Sequence, residues 1–346
     1  MKTTRLFLII ALVGSAFAMT SCMQKGTNGP GILKVEANLK NLPDTVYAIL
    51  MDTPEIIDTI VAKDGCFEHS FQLDSITALY LVTKNRWNFS VVAMPNENFT
   101  LEGDLLTRYD INGSDFYADY HQVDLLMENL KDEDCAETIL EFLRNNPDNE
   151  ANIELITRLA HIDSEKVEEG ISLISDKVKN GRMKNFIEQK VANIREKIAE
   201  EKRVAELQAP GRVAPDFTLN DIEGNPLSLS SLQGKYVVLD FWGSWCGWCI
   251  KGFPEMKNYY QKYAGKFEIL GIDCNDSEEK WKASVKEHGL PWLHVYKTNE
   301  STVLNDYAIQ GFPTKIILDP EGKIVKTIVG ETPEFYTLLD ELFAEK

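Results

Sequence analysis

Histidine is scarce in this 346-residue chain, with five in all, and its six cysteines include one Cys-x-x-Cys pair, Cys246 and Cys249. Cys22, Cys66, Cys135 and Cys274 stand alone, and no His-x-x-x-His pair occurs. A four-ligand zinc site needs a second ligand pair at short spacing, so no metal is expected. Positive charge is also in deficit: 36 Lys and Arg against 54 Asp and Glu leave a formal net charge of −18. That balance works against binding nucleic acid or an anionic membrane surface; its plain consequence is a well-solvated surface. Beyond the first two dozen residues no apolar run is long enough to hold a membrane.

What is present is organised around Trp245-Cys246-Gly247-Trp248-Cys249. The preceding run, Tyr236-Val237-Val238-Leu239-Asp240-Phe241-Trp242, has strand length and is rich in β-branched and aromatic residues. After the pair, Phe253, Met256, Tyr259 or Tyr260, and Tyr263 recur at helical spacing. Two cysteines therefore sit where a buried strand turns into a helix. Free backbone N–H groups and the positive end of the helix dipole favour a thiolate there. A thiolate with a second thiol one turn away can attack a disulfide and resolve the mixed intermediate. As a scaffold, a bridge across three residues would close a tiny loop and constrain little of the unfolded chain.

Four motifs in order extend the pattern: Gly211-x-x-Ala214-Pro215-Asp216-Phe217-x-Leu219, Gly234-Lys235-Tyr236, Asp240-Phe241-Trp242-x-x-Trp245-Cys246-x-x-Cys249, and Gly311-Phe312-Pro313-Thr314. Together they resemble a thioredoxin-like domain of the TlpA/ResA type. The resemblance implies a cis Pro313 lying against the redox pair, with main-chain groups there offered to an extended substrate peptide. It implies Cys246 as the exposed, attacking thiolate, which also stands nearer the helix start, and Cys249 as the resolving thiol. Asp240 matches the buried acid of thioredoxins, and a buried carboxyl that titrates high can take a proton from the resolving thiol. Trp245, Trp248, Phe312 and Pro313 are the candidate substrate-binding residues. The chain departs from its relatives at two positions. Gly252 stands where they usually carry a glutamate, which leaves proton transfer to Asp240. Trp248 stands where proline is frequent, restoring a backbone N–H on the first helical turn.

Residues 1–21 read as an export signal: Lys2 and Arg5, a short apolar core from Leu6 to Val13, then small residues up to Ser21-Cys22. Cys22 resembles the acylated cysteine of bacterial lipoproteins, and 22–31 read as a tether. From 32 to 112 the pattern is β, an antiparallel sandwich-like domain that resembles the domain of unknown function preceding such oxidoreductases. Within it, Lys63-Asp64-Gly65 signals a hairpin, and His69 shares an alternating face with Phe67 and Phe71. Residues 113–209 read as an all-helical region ending in a long helix with a stripe of Ile187, Val191, Ile194 and Ile198. From 210 to 346 strands alternate with helices, an α/β thioredoxin-like domain.

The expected protein is thus a lipid-anchored, periplasm-facing thiol–disulfide oxidoreductase with no cofactor. Its expected partners are cysteine-containing exported proteins, an upstream thiol–disulfide donor or acceptor, and the membrane through Cys22, with no nucleic acid. Reduction, as in cytochrome maturation, is the favoured direction, with oxidation or isomerisation as the alternative. A thiol peroxidase shares the Ala-Pro-Asp-Phe opening, but usually needs a threonine where Gly243 stands. A non-catalytic scaffolding lipoprotein is the remaining alternative. Cys274, which follows a strand at the same sheet edge as the pair, is a candidate substitute for Cys249.

Overall fold

Alternating burial builds the first part of the chain. In the strand Gly31–Lys40 every odd position is buried and every even one exposed, the period of a sheet with one face on a core. The computed structural model describes residues 31–50, 53–84, 88–130 and 135–344; the export signal, Cys22 and the tether up to residue 30 lie outside them. Contacts divide the chain into two units, Met1–Ile194 and Arg195–Lys346.

In the first unit the strands are β1 (Gly31–Lys40), β2 (Thr45–Leu50), β3 (Thr53–Val61), β4 (Cys66–Leu73), β5 (Thr77–Val82), β6 (Asn88–Ala93), β7 (Asn98–Asp104) and β8 (Arg108–Gly113). They form two sheets, ordered β4-β1-β7-β8 and β3-β2-β5-β6. Phe89 of one and Phe99 of the other approach with ring centroids 6.1 Å apart. All pairs are antiparallel except β1 with β7. A parallel pair has no turn to announce it in the sequence.

The turn at Lys63-Asp64-Gly65 is real: Asp64 and Gly65 have φ of 52° and 81°, and Lys63 and Cys66 exchange backbone hydrogen bonds of 2.9 Å. It is not a hairpin joining partners, however, because β3 pairs with β2 and β4 with β1. The turn passes the chain from one sheet to the other.

Helices α1 (Phe116–Asn129), α2 (Cys135–Asn145), α3 (Asn152–Ile162), α4 (Val167–Leu173), α5 (Asp176–Lys179) and α6 (Lys184–Leu207) follow. Tyr117 of α1 donates its hydroxyl to Val92 O at 2.9 Å and accepts from Met94 N at 3.2 Å, fixing α1 to β6. The buried stripe of α6 comprises Ile187, Val191 and Ile194. Ile198 is only half-buried, and the division between the units falls between it and Ile194.

The second unit contains β9 (Thr218–Asp221), β10 (Pro226–Ser228), β11 (Tyr236–Trp242), α7 (Gly247–Lys262), β12 (Phe267–Asp273), α8 (Glu278–His288), β13 (Leu293–Tyr296), α9 (Val303–Asp306), β14 (Thr314–Leu318), β15 (Ile324–Val329) and α10 (Pro333–Phe343). Its sheet runs β10-β9-β13-β12-β11-β14-β15. β11, β12 and β13 are parallel, β14 adds antiparallel to β11, and β15 adds antiparallel to β14. The interior strand β11 is buried from Val237 to Trp242, as expected of a strand covered on both faces. Val237, Leu239 and Phe241 pack into one core with Leu270, Ile272 and Tyr307. Val238 and Trp242 pack on the opposite face with Phe253 and Met256 of α7 and Phe335 of α10. This is a thioredoxin-like α/β domain, preceded by an antiparallel-rich β-domain and a helical region.

Candidate active site

A period of two along β11 places Asp240 between Val238 and Trp242, on the face that α7 covers. The loop after the strand is short and tightly held. Ser244 donates its backbone N–H and its hydroxyl to Asp276, both at 2.6 Å. Trp245 Nε1 donates to Cys274 O at 2.9 Å. A Cβ at Gly243 would lie 2.5 Å from Trp245 Nε1 and 2.8 Å from Cys274 O, so this position accepts no side chain without displacing both.

Cys246 is the N-cap of α7, and its Sγ accepts a hydrogen bond from Cys249 N at 3.2 Å. The donor is thus the third residue of the helix, as in ordinary side-chain capping. The two sulfurs form a disulfide with Cα atoms 5.3 Å apart. Cys246, expected to be the exposed cysteine, is in fact buried at 6% exposure, against 2% for Cys249, because both pack into the core with Trp242 and Phe253. The Phe312–Pro313 peptide is cis. Phe312 packs edge-on against Trp245 at 5.2 Å between ring centroids. Trp248 is exposed, with Lys251 Nζ 4.7 Å from the centre of its ring. Trp245 is half exposed, so two indoles border a largely buried disulfide.

Asp240 is buried. Burial pushes its carboxyl above the ordinary range, the charge of Lys315 opposes this, and Glu331 reinforces it. Strand register brings Lys315 opposite Asp240, with Nζ 3.7 Å from Oδ1 and 3.0 Å from Glu331 Oε2. Tyr336 donates its hydroxyl to Glu331 Oε1 at 2.6 Å. Sequence reasoning missed all three partners. The available signal is a lysine directly before the apolar run Ile316-Ile317-Leu318.

Asp273 lies on the same sheet face, beside Trp242 in register, and its carboxyl is pushed up to about 8 by burial and then by Asp276. Cys274 points the other way. Its thiol packs in the core opposite α7, donates to Ile272 O at 3.4 Å, and is driven far above the ordinary thiol range by burial and then Asp273. The expected substitute for Cys249 is therefore on the wrong side of the sheet. Its carbonyl, by holding Trp245, is the part of Cys274 that serves this region. In the first unit, His69 packs on Phe71 and pairs with Asp58 at 3.0 Å, and Cys135 is buried.

This arrangement has counterparts. The sequence model of the AhpC/TSA family matches residues 210–327. The thiol-disulfide oxidoreductase ResA of Bacillus cereus (strain ZK / E33L) is 37% identical over 122 residues, covering 35% of this chain and 70% of that protein. The chain belongs to the ResA thiol–disulfide oxidoreductases. ResA of Bacillus subtilis (strain 168) is likewise 37% identical over 125 residues, 36% of this chain and 69% of that one. Among solved structures, the thioredoxin domain of a thiol-disulfide oxidoreductase from Bacteroides vulgatus is 36% identical, covering 39% of this chain and 98% of that one, with a TM-score of 0.37. As a ResA-type oxidoreductase the protein exchanges thiols and disulfides with cysteine-containing partners.

Proposed function

We propose that the protein reduces disulfides of exported proteins, with Cys246 attacking, Cys249 resolving and Asp240 moving the proton. The observation that carries this reading is the disulfide at the start of α7, bordered by two exposed indoles and by Phe312 and the cis proline Pro313. In the dithiol form, Cys246 thiolate attacks one sulfur of a client disulfide. A Cys246–client S–S bond forms, and the client's second sulfur leaves as a thiolate that takes a proton from water. Cys249 then gives its proton to Asp240 and attacks Cys246 Sγ. The Cys246–Cys249 bond forms, the bond to the client breaks, and the client sulfur that Cys246 had attacked leaves as a thiolate. Two electrons pass to the client, and an upstream dithiol returns them by the same exchange.

Local charge supports the reducing direction. A disulfide becomes more oxidising as its thiolate form is stabilised. Beneath the redox helix Asp240 and Glu331 share Lys315. Such surroundings disfavour a thiolate and favour its oxidation to the disulfide. Keeping apocytochrome thiols reduced is a role of this kind. The peroxidase alternative fits poorly, since a threonine at position 243 would strike Trp245 and Cys274.

Trp245, Trp248, Phe312 and Pro313 form the proposed client-docking surface. Replacing Trp248 by alanine is expected to raise KM for a protein disulfide several-fold while leaving reduction of a small aromatic disulfide unchanged. Steady-state kinetics with both substrates check it, and equal losses on both would remove Trp248 from docking.

The proposed location is the cell envelope, with residues 1–21 as export signal and acylated Cys22 as the anchor facing the periplasm. Among the described residues no helix is long and apolar enough to cross a membrane. Cys22→Ala is therefore expected to move the protein from the membrane pellet to the soluble periplasmic fraction, as immunoblotting of fractions would record. Continued pelleting of the variant contradicts lipid anchoring. The primary test of the function is reduction of insulin disulfides by the full chain, lost in Cys246→Ser.

A further inference from the structure

Asp240 is 1% exposed and Lys315 is also 1% exposed, yet the proposed cycle requires a proton to reach and leave this carboxyl. The loop after β15 provides what the sequence does not announce. A Cβ built on Gly252, one helical turn beyond Cys249, would run into the Glu331 carboxylate. Glu331 therefore fills, from another segment, the space a side chain of α7 would take. Tyr336 reaches the same place, with its hydroxyl 2.6 Å from Glu331 Oε1 and 3.4 Å from Gly252 O. The loop is tied to the proline loop by a 2.7 Å hydrogen bond from Gly330 N to Pro313 O. Position, neighbours and backbone thus set Glu331 beneath the redox helix.

Resting on the reductase reading above, we infer that Glu331 is a positioning residue that holds Lys315 away from Asp240 and so sets the pH at which Asp240 accepts the Cys249 proton. Lys315 Nζ lies 3.0 Å from Glu331 but 3.7 Å from Asp240, and the longer separation exceeds a direct hydrogen bond. With both carboxylates ionised, the three groups carry one excess negative charge, and a proton on Asp240 removes it. Glu331 is itself 13% exposed at its side chain, which gives the buried lysine–aspartate pair its contact with water.

Lys315 from β14, Glu331 from the loop after β15 and Tyr336 from α10 act on Asp240 directly. Glu255 of α7 acts on Tyr336, and Cys249 of α7 lies in the core on this face of the sheet. Asp273 and His294 stand on the neighbouring strands, beside Trp242 and Gly271. His294 is pushed down to about 4 by burial and is neutral at pH 7. Burial also raises the Tyr336 hydroxyl, which stays protonated. Glu331 is thus the group nearest Lys315 that competes with Asp240 for its charge.

The sign follows directly. Removing the Glu331 charge deletes a repulsion on ionised Asp240 and gives Lys315 to Asp240 alone. Single-turnover reduction of a disulfide-cyclised peptide by the full chain, at saturating peptide from pH 5 to 9, reads the ionisation of Asp240 as the midpoint of the resolving phase. Glu331→Gln is expected to move that midpoint down by about one pH unit, a tenfold change in proton concentration. Glu331→Asp is expected to keep it near the wild-type value. Tyr336→Phe, which costs the Glu331 carboxylate one donor and leaves its charge more fully on Lys315 and Asp240, supplies a second arm, with a smaller shift in the opposite direction. Carbon-13 titration of the Asp240 carboxyl in the same variants should move in parallel. A Glu331→Gln midpoint superimposed on wild type, in an active enzyme, overturns the assignment to Glu331. Absence of peptide reduction by the wild type would overturn the reductase reading instead.

Discussion

Cys249→Ser is expected to turn the protein into a trap. Attack by Cys246 on a client disulfide still proceeds, and the Cys246–client bond then has no internal thiol to break it. Well-aligned intramolecular reactions reach effective molarities of about 10^5 M and above, so millimolar external thiol resolves the intermediate slower by many orders of magnitude. Mixed disulfides should therefore survive acid quenching and appear as high-mass species that collapse on reduction. Cys246→Ser should show none, and neither variant should turn over insulin. The asymmetry follows from position. Both sulfurs belong to the core with Phe253 and Met256, but Cys246 caps α7 beside the exposed Trp248, whereas Cys249 lies inside the helix. Equal trapping by both variants would show that the two sulfurs are equally presented and that the assigned roles are wrong.

Asp240→Asn should push activity and stability in opposite directions. Burial raises the Asp240 carboxyl above its unfolded value, so between the two values the folded state binds more protons than the unfolded one. By linkage, stability from this group is fully present below the unfolded value near 4 and is lost as pH rises through the folded value. The asparagine keeps the shape without the charge and escapes that loss. Its advantage over wild type should be near zero at pH 4 and reach on the order of 1–3 kcal/mol at pH 8, the scale of desolvating an unsatisfied buried polar group. Asp273, with its carboxyl pushed up to about 8, adds a slope of the same sign to both proteins, so the difference between them isolates Asp240. Five of the six tryptophans lie in 210–346, which makes tryptophan fluorescence on the full chain a reporter of this unit. Over the same range resolution should slow by about 10^2-fold or more, the usual cost of losing a positioned proton acceptor. A variant as pH-sensitive in stability as wild type, or unimpaired in resolution, would remove Asp240 from the mechanism.

Local patterns carried much of this structure into the sequence. β11 is a short apolar run and is found where such a run predicts. The N-cap at Cys246 follows from a strand meeting a helix, and the left-handed turn at Asp64-Gly65 follows from its residues. What stayed hidden is relational. The same turn signal serves a hairpin or a passage between sheets, and only the pairing of β3 with β2 and β4 with β1 decides which. Lys315, Glu331 and Tyr336 come from a strand, a loop and a helix. Asp240 meets the first through the β11–β14 register, a property of two strands that no single window contains. Cys274 is the instructive miss. Adjacency to the sheet edge suggested a redox partner, but the alternation along β12 that puts Asp273 beneath α7 sends its neighbour to the opposite core.

The most direct test is to equilibrate the full chain in dithiothreitol redox buffers at pH 7, alkylate it and locate the modified cysteines by mass, while assaying insulin reduction in parallel. Cys246 and Cys249 should titrate together as one two-electron couple in the folded protein, with Cys274 unmodified in its core, and insulin should precipitate well ahead of the dithiothreitol control. A bridge that opens only when the protein unfolds, or insulin reduced no faster than by dithiothreitol alone, would contradict thiol–disulfide exchange at this pair.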